Sequence, residues 1–262
     1  MLKKQKFKEM KKIFSLIALM ALIVSCGGTK SYKIDGAVSA ENFAEGDTIS
    51  LGYSLDGANY TPESYAVIKD GKFEFTGNVE NCKLYYLVNH KTEEPLAMLF
   101  LEGGNIKATI DNEKNEVKGT SSNDVYTELQ NNLANYVSQL QEKQISLYID
   151  TTLTEEQRES ILNELQTLSE KASGVAKDFI NNNIEKLPGL FMLVQCANMF
   201  DDEEFDALVK QIPEECKDAD NNCLYAVLLD IQEQRKNPQD FSEYFKAATE
   251  SVDTTATEQE TK

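Results

Sequence analysis

The feature that most constrains this fold is a change of hydrophobic period at Thr120. Upstream, from Tyr32 to Gly119, apolar residues alternate with polar ones over short stretches cut by turns, which is the grammar of half-buried strands. Residues 33–38 and 48–55 read as early strands. Lys69-Asp70-Gly71-Lys72 reads as a two-residue hairpin turn, because both central positions need positive φ. That turn predicts Ile68 opposite Phe73 and Ala66 opposite Phe75, with Lys72, Glu74 and Thr76 on the other face. Residues 84–88 and 96–101 are almost wholly apolar, as expected of central strands covered on both faces. Ile106, Ala108 and Ile110 alternate with Lys107 and Thr109, and residues 116–119 close the set. No helical segment interrupts these strands, so antiparallel pairing is expected. The prediction is an antiparallel β-sandwich or barrel over 32–119.

Downstream the period becomes helical. Ser122 is the expected N-cap of a first helix whose Val125, Leu129, Leu133, Tyr136, Val137 and Leu140 share a face. Thr154 with Gln157 has the form of a capping box. Ile161, Leu165, Leu168, Ala172, Val175 and Phe179 make a second stripe, and Leu187-Pro188-Gly189 is expected to end that helix. Residues 190–200 are apolar nearly all round and should be the buried helix. Asp201 with Glu204 opens a short helix through Ile212, stopped by Pro213. Residues 224–234 make another, and 241–248 a last short one. The region 120–249 is therefore expected to be all-helical, followed by a disordered acidic tail at 250–262. The fold class is α+β. Leucine stripes of this kind serve packing between helices far more often than a partner groove.

The first twelve residues carry six lysines against Glu9, and residues 13–24 are apolar apart from Ser15. A basic head with a short apolar run is a secretory signal peptide, here 1–25, and the run is too short to span a bilayer. Its end, Ile23-Val24-Ser25-Cys26, resembles the lipobox of bacterial lipoproteins. The resemblance implies lipid on Cys26, cleavage before it, and a tether over 26–31. Several acyl chains give durable anchoring where one gives little. Gly27, Gly28, Thr29 and Lys30 bring no acids after the cysteine, which points to the outer membrane facing the periplasm. The expected location is the bacterial cell envelope, held to the membrane through Cys26.

The formal net charge is −18, and losing the signal makes it more negative still. Such a surface repels phosphate backbones, which argues against nucleic acid. Only two arginines are present, Arg158 and Arg235. An oxidising location allows disulfides, and Cys216 and Cys223, close in sequence across a polar turn, are a possible bridge. Cys82 and Cys196 read as small buried residues. The single histidine, His90, is expected in a loop without a nucleophile beside it. The run 218–222 begins like a calcium loop, but Cys223 stands at the turn glycine and Leu229 at the bidentate glutamate. Asp201-Asp202-Glu203-Glu204 reads as the acidic first turn of a helix. There is no phosphate-cradling glycine loop. No catalytic residue, metal or cofactor is expected. With no tryptophan, sugar stacking would fall to the eleven tyrosines.

Three stretches carry a family resemblance: Asp70-Gly71-Lys72-Phe73-Glu74-Phe75-Thr76-Gly77, Leu99-Phe100-Leu101-Glu102-Gly103-Gly104-Asn105-Ile106, and Val117-Lys118-Gly119-Thr120-Ser121-Ser122-Asn123-Asp124. Together they resemble a domain of unknown function found in envelope lipoproteins. That domain commonly precedes a thioredoxin-like domain in membrane-anchored thiol–disulfide oxidoreductases. Gly103 stands where the family often has proline. The thioredoxin-like part would begin around Asn237, and its redox cysteines are missing here. The resemblance therefore implies a non-catalytic envelope protein acting through protein contacts, as an accessory to thiol–disulfide proteins. The alternative is a periplasmic binding module for a small glycan or peptide. A third reading is a degenerate oxidoreductase using Cys216 and Cys223.

Overall fold

The structure is a computed structural model that describes residues 29–39, 41–54, 60–81, 83–111, 114–217 and 223–236. The signal peptide, Cys26, Cys82, the run 218–222, the helix expected at 241–248 and the tail lie outside the described residues.

Among the described residues eight strands form two four-stranded sheets. They are β1 (Lys30–Val38), β2 (Thr48–Ser54), β3 (Tyr60–Val67), β4 (Lys72–Val79), β5 (Lys83–Asn89), β6 (Pro95–Leu101), β7 (Gly104–Ile110) and β8 (Glu116–Lys118). The first sheet has the order β4-β1-β7-β8 and the second β3-β2-β5-β6. The expected alternation places the core. In β4, Phe73 and Phe75 are buried while Lys72 and Glu74 face water. Ile34, Ile49, Leu51, Leu87, Leu99 and Ile106 meet them between the sheets. Gly36 lies opposite Phe73, whose ring occupies the space a Cβ at Gly36 would need.

Two expectations about pairing are corrected. The Asp70-Gly71 turn forms with positive φ at both residues, but its ladder stops at Lys69 and Lys72. Beyond it, β3 pairs with β2 and β4 with β1. The turn folds the chain from one sheet to the other, so Ala66, Ile68, Phe73 and Phe75 share a core without pairing in register. The second correction is that β1 and β7 are parallel, with Ile34 beside Ile106. The intervening chain returns through the strands of the second sheet, so no crossover helix is needed.

Five α-helices follow among the described residues. They are α1 (Ser121–Ile149), α2 (Glu155–Asn183), α3 (Leu187–Gln195), α4 (Asp202–Gln211) and α5 (Cys223–Lys236). The predicted capping box of Thr154 with Gln157 is present, and the helix expected to open at Asp201 starts with a capping box of its own, Asp201 with Glu204. Thr120, not Ser122, takes the N-cap position of α1, and its side chain makes no capping bond. Ser122 sits in the first turn, where its N–H and hydroxyl both donate to the Glu102 carboxylate. Pro188 lies in the first turn of α3 and so helps to start a helix, where its missing N–H has no partner to lose. The buried segment is α3 followed by a 3₁₀ turn over Ala197–Met199, with Leu190 and Leu193 fully buried.

The two halves touch through β6 and β8. The residues of β6 alternate between two cores: Leu99 and Leu101 fill the sandwich, while Phe100 belongs to the helical core. Leu84 and Met98 pack against that second core as well. Thus β6 is covered on both faces although it is an edge strand by pairing. Among the described residues no helix is long and apolar enough to cross a membrane.

Candidate functional site

Some expected site residues fall outside what can be placed. Cys26 does, and so does the side chain of Cys223 at the start of α5, so the expected bridge with Cys216 lies outside the described residues. Cys216 ends a 3₁₀ turn over Glu214–Cys216. Cys196 is buried, and burial pushes its thiol pKa up, which disfavours the reactive thiolate. Asp201-Asp202-Glu203-Glu204 forms the acidic first turn of α4, with Asp202 in an ion pair with Arg235 at 2.8 Å. No group of three or more His, Cys, Asp or Glu among the described residues could hold a metal ion.

Both arginines serve helix ends. Arg158 donates to the Leu147 and Asp150 carbonyls at the end of α1. Arg235 donates to the Ala197 carbonyl at 2.6 Å while its guanidinium lies over the Phe205 ring. These are carbonyls that a helix terminus or tight turn leaves without an intrahelical partner.

His90 stands at the turn between β5 and β6, as expected, and is not isolated. Its ring meets Tyr65 edge-to-face at 5.0 Å. Residues directly opposite on paired strands share a face, so the pairing of Ser50 with Tyr65 and Gly52 with Pro62 defines an outer face of the second sheet. Among the described residues, helices cover this sheet only at β5 and β6. Over β2 and β3 it stays open, with Tyr65 and Val67 exposed. A cleft of about 300 Å³ lies here, floored by Ser50 and Gly52 and bounded by Tyr60, Pro62, His90 and Glu93. Tyr60 packs edge-to-face on Tyr86 at 5.0 Å. The Asn89 side chain accepts from the Lys91 N–H at 3.0 Å, and its carbonyl from Glu93 at 2.8 Å, which fixes the wall carrying His90. Tyrosine faces beside hydrogen-bonding groups can hold a ring or a short extended chain.

Below this face lies a buried phenol. The Tyr85 hydroxyl donates to the Glu63 carboxylate at 2.6 Å. Burial first, and then the hydrogen bond and charge of Glu63, hold the Tyr85 pKa well above 10.0. The folded state therefore keeps a proton that the unfolded chain loses. Stability from this group is complete below pH 10 and is lost as pH rises past it. Tyr85→Phe is expected to flatten the alkaline fall in urea midpoint; an unchanged slope would place the effect elsewhere.

The other distinctive surface is the hairpin of α1 and α2. Buried residues occur in α1 only at Ser122, Asn123, Thr127 and Leu129, and in α2 only at Ala176 and Ile180. Between those ends, among the described residues, the pair has no third layer, and Val137, Ile145, Tyr148, Ile149 and Leu162 are exposed. Val137 is thus off the packed stripe where the periodicity placed it.

Residues 32–126 match the family described as "Domain of unknown function (DUF4369)". The match covers the sandwich and the first turns of α1, and coincides with the three stretches on which the resemblance rests. No curated protein matches this chain.

Proposed function

We propose that this chain is a lipid-anchored protein of the bacterial cell envelope that works without catalysis, through contacts with other proteins. The anchor is Cys26, and the thiol–disulfide proteins of the same envelope are the partner class its β domain suggests. The observation that carries the reading is the α1–α2 hairpin. Exposed apolar side chains on a long pair of helices with no covering layer are the surface another chain would bury. A photocrosslinking residue at Val137, in cells, is expected to give discrete protein adducts that one at Lys107 on the sandwich does not. Equal, diffuse labelling at both would end this reading. Cys26→Ser is expected to move the protein from the membrane fraction to the soluble one; retention would remove the lipid anchor.

A second reading is recognition of a small glycan or peptide, favoured by the cleft beside Tyr60, Tyr65 and His90. Calorimetric titration with cell-wall glycan and peptide fragments tests it. Saturable heat abolished by Tyr60→Ala supports it, and a flat response across the panel counts against it.

A further inference from the structure

The hairpin carries two parallel stripes, and only one is covered by the described residues. Leu133, Tyr136, Leu140 and Leu147 of α1 are half-buried towards α2. About 100° round the helix runs a second stripe, Ala134, Val137, Gln141, Ile145 and Tyr148, and all five are exposed. Their spacing of three and four residues is that of a helix-packing seam. On α2 the same displacement takes half-buried Ile161, Leu165 and Leu168 to exposed Leu162, Gln166 and Ser169. Because the helices are antiparallel, this turn brings both outer stripes to one side of the hairpin.

The charge of this side identifies its occupant. The chain is strongly acidic, at −18, so two copies repel over most of their surface. Yet residues 129–141 of α1 contain no charged side chain, and 144–149 contain none. Between them, Lys143 is paired with Glu164 on α2, and Glu142 is exposed beside the stripe, while the five stripe residues themselves carry no charge. A partner steered by charge would find nothing to read along this stripe of α1, whereas a second copy could approach along it with least repulsion.

The order of residues is also self-complementary. A twofold axis at Gln141 sets Val137 against Ile145 of the other copy, and Ala134 against Tyr148. It sets the Gln141 amide against its own symmetry mate. These are apolar with apolar, small with large, and amide with amide, the reciprocal pattern a twofold interface requires. The uncovered length is about 30 Å and two helices span about 20 Å, so each copy offers roughly 600 Å² and the pair roughly 1,200 Å², the lower bound for a stable interface.

We infer that two copies of this chain associate through the uncharged outer stripe of α1, antiparallel across that helix, into a four-helix bundle with a sandwich at either end. The inference rests on the proposed contact function and names the partner of that surface. Sedimentation equilibrium of the full chain in density-matched detergent is expected to give twice the chain mass. Val137→Glu with Ile145→Glu, both at exposed positions, is expected to return it to the single-chain mass. Gln141→Cys, on the axis, is expected to form an intermolecular disulfide that Glu128→Cys, elsewhere on α1, does not. A single-chain mass for the unaltered protein, or equal crosslinking of the two cysteine variants, overturns the inference. So does a two-chain mass that survives the double substitution. Discrete adducts at Val137 to a different protein, with a single-chain mass, would overturn it while leaving the contact reading intact.

Discussion

Replacing Phe100 with alanine is expected to cost about 3–5 kcal/mol of stability and to weaken both halves of the protein together. Phe100 is fully buried and sits on a strand of the sandwich, yet its ring belongs to the helical core. It meets Tyr126 of α1 at 5.4 Å and Phe191 of α3 at 6.1 Å, and those two rings meet each other at 5.7 Å. Its neighbours Leu99 and Leu101 point the other way and are equally buried in the sandwich. A cavity at this position removes the contact through which β6 ties α1 and α3 to the sheet. The measurement is urea unfolding followed by far-ultraviolet circular dichroism, which reports the helices, and by tyrosine fluorescence, weighted to the sandwich. A single transition, shifted equally in both signals, is expected. A helical transition that moves alone would mean that the halves unfold independently.

Local grammar was the part of this fold open to reading from sequence. The helix starts at Thr154 and Asp201 are each decided within four residues, and both formed where expected. The inward set of β4 followed from alternation alone. Partner choice was not open in the same way. The Asp70-Gly71 turn specifies how the chain reverses but not whether β4 then pairs with β3 or with β1, and the pairing with β1 needs Gly36, where the Phe73 ring lies across the strand. The parallel pair of β1 and β7 joins segments far apart in the chain, and nothing local marks it. Ser122 looked like a cap because its type and position suit one. The structure uses it for Glu102, in the turn between β6 and β7, and that choice depends on how α1 docks.

The candidate surfaces divide on the same line. His90 stood out as the only histidine, but Tyr60, Tyr65 and Tyr86 are scattered in sequence and meet beside the cleft only through the pairing of β2 with β3 and β5. The outer stripe of the hairpin was hidden for a different reason. Val137 lies one residue from the packed stripe, and a stripe drawn from sequence absorbs such neighbours. Only burial separates the two sides, and it leaves Val137 46% exposed.

Asn123→Leu is expected to lose roughly 2–6 kcal/mol, from two main-chain groups left buried and unpaired at about 1–3 kcal/mol each. β6 is an edge strand, and at Phe100 its outward N–H and C=O would face the helical core with no neighbouring strand. The Asn123 side chain takes the place of that strand. Its Oδ1 accepts from the Phe100 N–H at 2.9 Å, and its Nδ2 donates to the Phe100 carbonyl and to Thr120 Oγ1, each at 2.8 Å. The residue is only 2% exposed, so water cannot substitute. Thr127, one turn on, donates similarly to the Val117 carbonyl of β8 at 2.7 Å. The first turns of α1 thus complete the hydrogen bonding of the sandwich, consistent with a family match that ends at residue 126. Asn123→Asp separates this account from simple packing. A neutral aspartic acid can both accept from and donate to Phe100, whereas the buried carboxylate loses the donor and its hydration, so its folded pKa lies above the usual ~3.9. Stability of that variant is therefore fully present below its unfolded pKa and is lost as pH rises through the folded one. Chemical denaturation across this range should show the aspartate variant recovering on acidification relative to Asn123→Leu. Parallel pH profiles for the two variants would mean that the amide is not what secures the edge of β6.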